Sequence, residues 1–411
     1  MTMKASPARG PDGMDVIDLR DGRSLRGFVD SGYGPVVDAF KANYLLRDDL
    51  GSACTVYAGG RRVVELWGGI ADRRTGRPWN RDTAAVMFSC SKGVLAVSVY
   101  RLVDEGRVQL DAPIARYWPA FGDHGKAEIT LRDAMSHRAG LPALDIDLGR
   151  DDVLAWDPVI RAIEVQRPLH APRDGHVYHG LTYGWIVGEV IRRITGHLPG
   201  RFFRAAIGDT LGLRTWIGIP SAARSTVAWM EPPLPDEDSA AAREAARQAR
   251  DNITVDRSMS MGGAFVFPAD DGLVTFNDPD IQAAEVPGAN GISTAESLAR
   301  LYAACVGPIG GSRLLSARSI RDALRVRSAG PQRSGMPDDG ARWGTGFQLS
   351  SPPGQPMLGP ASFGHAGAGG QLGFADAARE VGFAYLSNQM GGYGDARARQ
   401  LTIALCRVVG A

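Results

Sequence analysis

Strand-like apolar segments lie toward both ends of this 411-residue chain, and apolar positions with helical spacing occupy its middle. After a Pro/Gly-rich leader, "VVDAFKANYLL" has the spacing of a helix, and "ACTVYAGGRRVVELWGG" reads as two short strands joined through Gly59 and Gly60. "MFSCSKGVLAVSVYRLVDEG", Met87 to Gly106, starts a helix at Ser89, with Leu95, Val99 and Leu102 on one face and Gly106 as its stop. From about Asp111 to Gly218 the pattern is mostly helical, clearest in "ITLRDAMSHRAGLP", "DDVLAWDPVIRAIEV" and "LTYGWIVGEVIRRITG". Glu231 to Asp251 alternates the sign of its charges and reads as a solvated surface helix. "GISTAESLARLYAACV" is an amphipathic helix opened by a Ser/Thr cap. "WGTGFQL", "GGQLGFAD" and "VGFAYLSNQM" then read as strands before a closing helix, "DARARQLTIALCRVV". This order predicts an α/β (α+β) fold, with a sheet built from both ends of the chain and a mostly helical middle inserted into it.

Composition narrows the partner more than the fold. With 44% hydrophobic and 22% charged residues the chain can bury a sizeable core. Its 46 basic and 45 acidic residues cancel, so no long-range field recruits nucleic acid or an anionic membrane, and a small, roughly neutral molecule is the expected partner. The amino terminus lacks the apolar core of a signal peptide, and no apolar run is long enough to span a bilayer, so a soluble, cytoplasmic protein is expected. Cys54, Cys90, Cys305 and Cys406 are scattered without the paired spacing of zinc or redox sites and read as small buried hydrophobes.

Lysine occurs only at positions 4, 41, 92 and 126, while arginine supplies 42 of the basic residues. Where a positive charge suffices this chain uses arginine, so Lys92 beside a serine suggests an amine that must lose its proton. Ser89 and Lys92 are three apart and share a helix face. A serine hydroxyl becomes a good nucleophile when a neighbouring base takes its proton, and a helix amino terminus adds N–H groups that stabilise an oxyanion. The plain alternative is a capping serine followed by a surface lysine. Taken alone, Ser-x-x-Lys is a weak signal.

Context strengthens it. "FSCSKG", "LRDAMSHRAGLP", "GHVYHGLTYGWIVGEVI" and "FGHAGAGGQLGFAD" occur in the order and rough spacing of the serine β-lactamase and penicillin-binding-protein superfamily. More narrowly, the chain resembles the class C β-lactamase-like family VIII carboxylesterases, from about Val56 to its end and excluding Glu231 to Asp251. The resemblance implies an antiparallel sheet flanked by helices. Residues 1–80 and 285–411 would form the sheet domain and 81–284 the helical domain, with the active site at their interface. It makes Ser89 the acylated nucleophile, Lys92 its base and Tyr178 a second acid/base whose phenolate a Lys92 ammonium could stabilise. Backbone N–H groups of Ser89 and Ala368 would form the oxyanion hole, and His365 and Gly367 would face substrate.

Departures from the family pattern bear on substrate. His365 and Ala366 replace a lysine and a threonine that hold the carboxylate of a β-lactam, and Gly180 replaces an asparagine that grips an amide side chain. Both changes point toward the esterase-like branch. The expectation is a serine hydrolase, a carboxylesterase on small-molecule esters, with an acyltransferase passing the acyl group to an alcohol or amine as the alternative. A β-lactamase or D-amino peptidase ranks behind these. A catalytically dead binding protein would have lost the serine, lysine or tyrosine, and all three are present. No cofactor or metal is expected: His176, His179 and Asp174 lack a further ligand in pattern, and the glycines of "GHAGAGGQLG" miss the spacing of a phosphate loop. No G-x-S-x-G elbow is present, which argues against an α/β-hydrolase.

Overall fold

The computed structural model describes residues 23–234, 251–265, 275–311, 313–352, 354–392 and 395–410, together with 8–9, 15–18, 244 and 247–249. Its main strands are β1 (Ser24–Val29), β2 (Gly51–Ala58), β3 (Arg61–Asp72), β4 (Ser362–Gly367), β5 (Gln371–Asp376) and β6 (Val381–Ser387). They lie in the order β1-β3-β2-β6-β5-β4, and every pairing is antiparallel. The two ends of the chain meet where β2 pairs with β6, Thr55 opposite Ala384. Short strands continue beyond β4 at Gln348–Leu349, Arg342–Trp343 and Ser328–Ala329.

Local chemistry explains these elements. Gly59 and Gly60 have φ of +54° and +75°, the left-handed pair a two-residue hairpin turn requires, and they join β2 to β3. β2 is buried on both faces. Ala53 and Tyr57 meet the helix α5 (Ala295–Val306) in the main core, while Cys54 and Val56 meet α1 (Gly34–Leu46) and α6 (Arg397–Val409) on the other side. Between the sheet strands of the two ends, the chain forms α2 (Cys90–Asp104), α3 (Thr182–Thr195) and α4 (Ile253–Ser260) with several shorter helices. α2 is buried almost all round, which places it at the centre of the core against the inner face of the sheet.

Three expectations need correction. "WGTGFQL" is not one strand: Arg342–Trp343 and Gln348–Leu349 pair with each other across a turn in which Gly346 has φ of +85°. "DDVLAWDPVIRAIEV" divides into helices Arg150–Leu154 and Asp157–Val165, because Trp156 takes φ of +63° and Pro158 has no N–H to continue the first ladder. The region 111–218 holds more loop than expected, and "ITLRDAMSHRAGLP" yields only the Thr130-capped turn Leu131–Met135. The predicted helix from Glu231 to Asp251 lies largely outside the described residues. Within it Arg247 pairs with Glu244 and Asp251, all exposed. Cys54, Cys90 and Cys305 are buried thiols, whereas Cys406 is half-buried. Among the described residues no helix is long and apolar enough to cross a membrane.

Candidate active site

Ser89 occupies the N-cap of α2, as its position in the pattern predicts, but its hydroxyl caps nothing. Phe88 before it has φ of +45°, a conformation unfavourable for an aromatic residue, and an edge-on contact with Phe276 at 5.3 Å between ring centroids helps to hold it. The Ser89 Oγ accepts from Lys92 Nζ at 3.0 Å and from Tyr178 Oη at 2.9 Å. Helical spacing delivers the lysine, and the turn before α3 delivers the tyrosine.

Electrostatics assign a protonation state to each partner. Lys92 is fully buried, and apart from Ser89 its Nζ donates to the Gly288 carbonyl at 2.8 Å. Desolvation lowers its pKa from 10.5 to about 7, with only the Cys90 thiol opposing. Desolvation also raises the Tyr178 phenol well above its ordinary range, outweighing the hydrogen bond to Ser89. Burial thus acts against a resting phenolate, even with Lys92 Nζ 5.0 Å from the Tyr178 ring centroid. A neutral phenol that donates to Oγ stands beside an amine able to accept a proton at neutral pH.

Tyr178 is held on several sides by residues that the sequence motifs did not single out. Its N–H donates to Gln332 Oε1 at 2.9 Å, and its carbonyl accepts from Ser258 Oγ at 3.3 Å. His137 lies 4.7 Å from its ring and Trp343 stacks at 5.3 Å. His137 Nδ1 accepts the His179 N–H at 3.1 Å. His137 and Trp343 lie inside stretches already notable in the sequence, "MSHRAG" and "WGTG". Gln332 and Ser258 carry no such signal.

β4 runs beside the turn that carries Ser89. The Cys90 thiol donates to the His365 carbonyl at 3.0 Å, and a Cβ on Gly367 would stand 2.3 Å from the Met87 carbonyl oxygen. Gly367 therefore lets the strand close on residues 87–90, and Ala368 follows it, half-buried against the core. His365 is buried, with Nδ1 2.6 Å from the Ala366 carbonyl and Nε2 without a partner among the described residues. The short contact makes Nδ1 the donor and leaves Nε2 an acceptor. Burial first, and the nearby Lys92 charge second, pull this histidine down to about 3, so it is neutral at working pH. His179 is engaged at both ring nitrogens, by the Val177 carbonyl at 2.6 Å and the Leu141 N–H at 3.1 Å. Among the described residues no cluster of three His, Cys, Asp or Glu side chains is placed to hold a metal.

A family model described as Beta-lactamase matches residues 46–405. The chain belongs to the beta-lactamase family. This beta-lactamase-family protein is similar to the Esterase/beta-lactamase LipL of Mycobacterium tuberculosis, 35% identical over 384 residues, which cover 90% of this chain and 84% of that one. Among solved structures it is similar to a family VIII carboxylesterase, 31% identical with a TM-score of 0.81, covering 93% of this chain and 99% of the other. A penicillin-binding protein homolog from Caulobacter crescentus is 30% identical with a TM-score of 0.80, again over 93% and 99% of the two chains. The protein is a serine hydrolase of the β-lactamase fold, an antiparallel sheet flanked by helices.

Proposed function

We propose that this protein is a carboxylesterase that cleaves small-molecule esters through an acyl-Ser89 intermediate. The observation that carries the reading is the Ser89 Oγ held between Lys92 Nζ and Tyr178 Oη, with Lys92 buried and lowered to about 7. Neutral Lys92 takes the hydroxyl proton as Oγ bonds to the ester carbonyl carbon. The resulting oxyanion rests against the N–H groups of Ser89 and Ala368. As the C–O bond breaks, Tyr178 gives its proton to the leaving alkoxide and is reprotonated by the Lys92 ammonium. Water then loses a proton to Lys92 as it bonds to the acyl carbon, the acyl C–Oγ bond breaks as the Lys92 ammonium returns that proton to Oγ, and the carboxylic acid leaves. In this scheme the two parts of the expected division both contribute, residues 81–284 with the acid/base groups and residues 285–411 with the second oxyanion donor.

Substrate class follows from the groups around the carbonyl. A neutral His365 cannot pair with a carboxylate, and Gly180 offers no amide side chain, so a neutral ester fits better than a β-lactam. The names of two relatives, an esterase/beta-lactamase and a family VIII carboxylesterase, support the same reading. Intact-protein mass spectrometry with p-nitrophenyl acetate tests it. Wild type should carry one acetyl group, on Ser89, lost at a rate indifferent to added alcohols or amines, and Ser89→Ala should carry none. An adduct that persists in water and collapses only with one acceptor would overturn hydrolysis in favour of acyl transfer.

A further inference from the structure

The turn Tyr178-His179-Gly180 is covered by α4, which lies outside the motifs that define the family resemblance. A Cβ built on Gly180 would stand 2.6 Å from Met259 Sδ, 2.6 Å from the Ser258 carbonyl oxygen and 2.9 Å from Ser258 Oγ. The volume that a side chain at position 180 would fill is already taken by another part of the chain. Ser258 also uses up the polar groups there: its Oγ accepts the Gly180 N–H at 2.9 Å and donates to the Tyr178 carbonyl, and its own carbonyl accepts the Leu181 N–H at 3.1 Å. The His179 N–H is bound to His137. What α4 then presents beside the turn is the Met259 thioether, half-buried and outside the packed core.

This cover is firmly placed. Asn252 at the start of α4 donates to the Ser334 carbonyl at 2.7 Å, two residues from the Gln332 that holds Tyr178. Arg257 donates to the Leu144 carbonyl at 2.7 Å and pairs with Asp147 at 2.6 Å. Beyond the helix, Phe265 stacks on Phe276, and Phe276 meets Phe88 next to the nucleophile. Phe265, just past α4, is thus linked through Phe276 to the serine side, while α4 itself packs on the tyrosine side.

We infer that Met259 is a specificity-determining residue: seated over Gly180, its thioether forms an apolar wall of the acyl pocket that selects esters of short, unbranched apolar acids. The inference rests on the carboxylesterase reading above. An acyl group that needs a hydrogen bond at this wall finds none, and a long or branched one meets the sulfur. One missing or extra methylene in such a pocket changes kcat/KM by about tenfold or more.

The test varies the acid while keeping p-nitrophenol as leaving group, and reads the ratio of kcat/KM for octanoate to that for acetate, a quantity independent of how much enzyme is folded. Met259→Ala should raise the ratio at least about tenfold and Met259→Phe should lower it by a similar factor. If either variant fails to fold, the other decides. A ratio that stays within about twofold of wild type, while Ser89 still forms its acyl adduct, overturns the wall and leaves the esterase assignment standing. A wild-type enzyme that forms no adduct with any ester of the series overturns both.

Discussion

Lys92 and Arg397 are both buried cations, and their surroundings make them opposites. Arg397 is 2% exposed and donates to Asp49 Oδ1 at 3.1 Å, Asp395 Oδ2 at 2.6 Å and Ser387 Oγ at 3.0 Å. Burial alone would lower its pKa, but Tyr385, Asp49 and Asp395 together raise it above the ordinary guanidinium range. Its Nη2 also donates to the carbonyls of Gly369 at 3.0 Å and Gln389 at 2.8 Å, so the guanidinium holds the turn that carries Ala368. Lys92 is as deeply buried, but among the described residues its Nζ donates only to Ser89 Oγ and the Gly288 carbonyl. Burial beside carboxylates fixes a charge and makes a structural pin, whereas burial among neutral groups loosens a proton, which suits Lys92 to the role of base proposed above.

The largest expected effect lies on the catalytic side of this contrast. Ser89→Ala and Lys92→Arg should each lower kcat/KM for p-nitrophenyl acetate by about four orders of magnitude, because a guanidinium keeps its proton at working pH. An Arg variant with substantial turnover would show that Lys92 supplies only charge. Tyr178→Phe should lower kcat by about 10²- to 10⁴-fold with an unchanged melting profile. On the structural side, Arg397→Met leaves the buried Asp49 and the half-buried Asp395 without their cation and should cost about 3 to 5 kcal/mol in chemical denaturation. If it costs much less, the pin is not a pin.

Smaller effects sharpen the contrast through pH. His137, His179 and His365 are buried and held neutral, with folded pKa values below the unfolded value of about 6.5. The unfolded chain binds more protons below that pH, so stability present above about 6.5 is lost as pH falls toward about 3 for His179 and His365, by about 2 kcal/mol each at pH 5, and His137 adds a loss of the same sign. Thermal melts from pH 7.5 to 5 check this. Lys92 is likewise depressed, so its stability deficit is complete below about 7 and recovers between about 7 and 10.5. Lys92→Met should be inactive yet more stable than wild type by about 1 to 3 kcal/mol at pH 6, with the gain shrinking toward pH 10.

What the sequence made legible follows the same division. Ser89 and Lys92 are joined by helical spacing, so their meeting can be read locally, and the strands of β5 and β6 announce themselves by their apolar runs. The Arg397 network cannot be read that way. Asp49 and Arg397 lie at opposite ends of the chain and meet only because β2 pairs with β6, a register that leaves no local pattern. Ser258 and Gln332 are equally silent, since each reaches the backbone of Tyr178 from a loop or helix far away in sequence. Gly180 was visible as a departure, but its cause, the close approach of α4, belongs to tertiary packing. The helix break at Trp156 was obscured because the apolar spacing runs through it.

The most direct test of the contrast is the rate of Ser89 acylation by p-nitrophenyl acetate, followed by stopped-flow release of p-nitrophenol between pH 5 and 10. A bare buried lysine predicts a rate that rises with pH through one ionisation near 7 and then levels off. A rate that keeps rising until about pH 10, where an ordinary lysine titrates, would contradict the account.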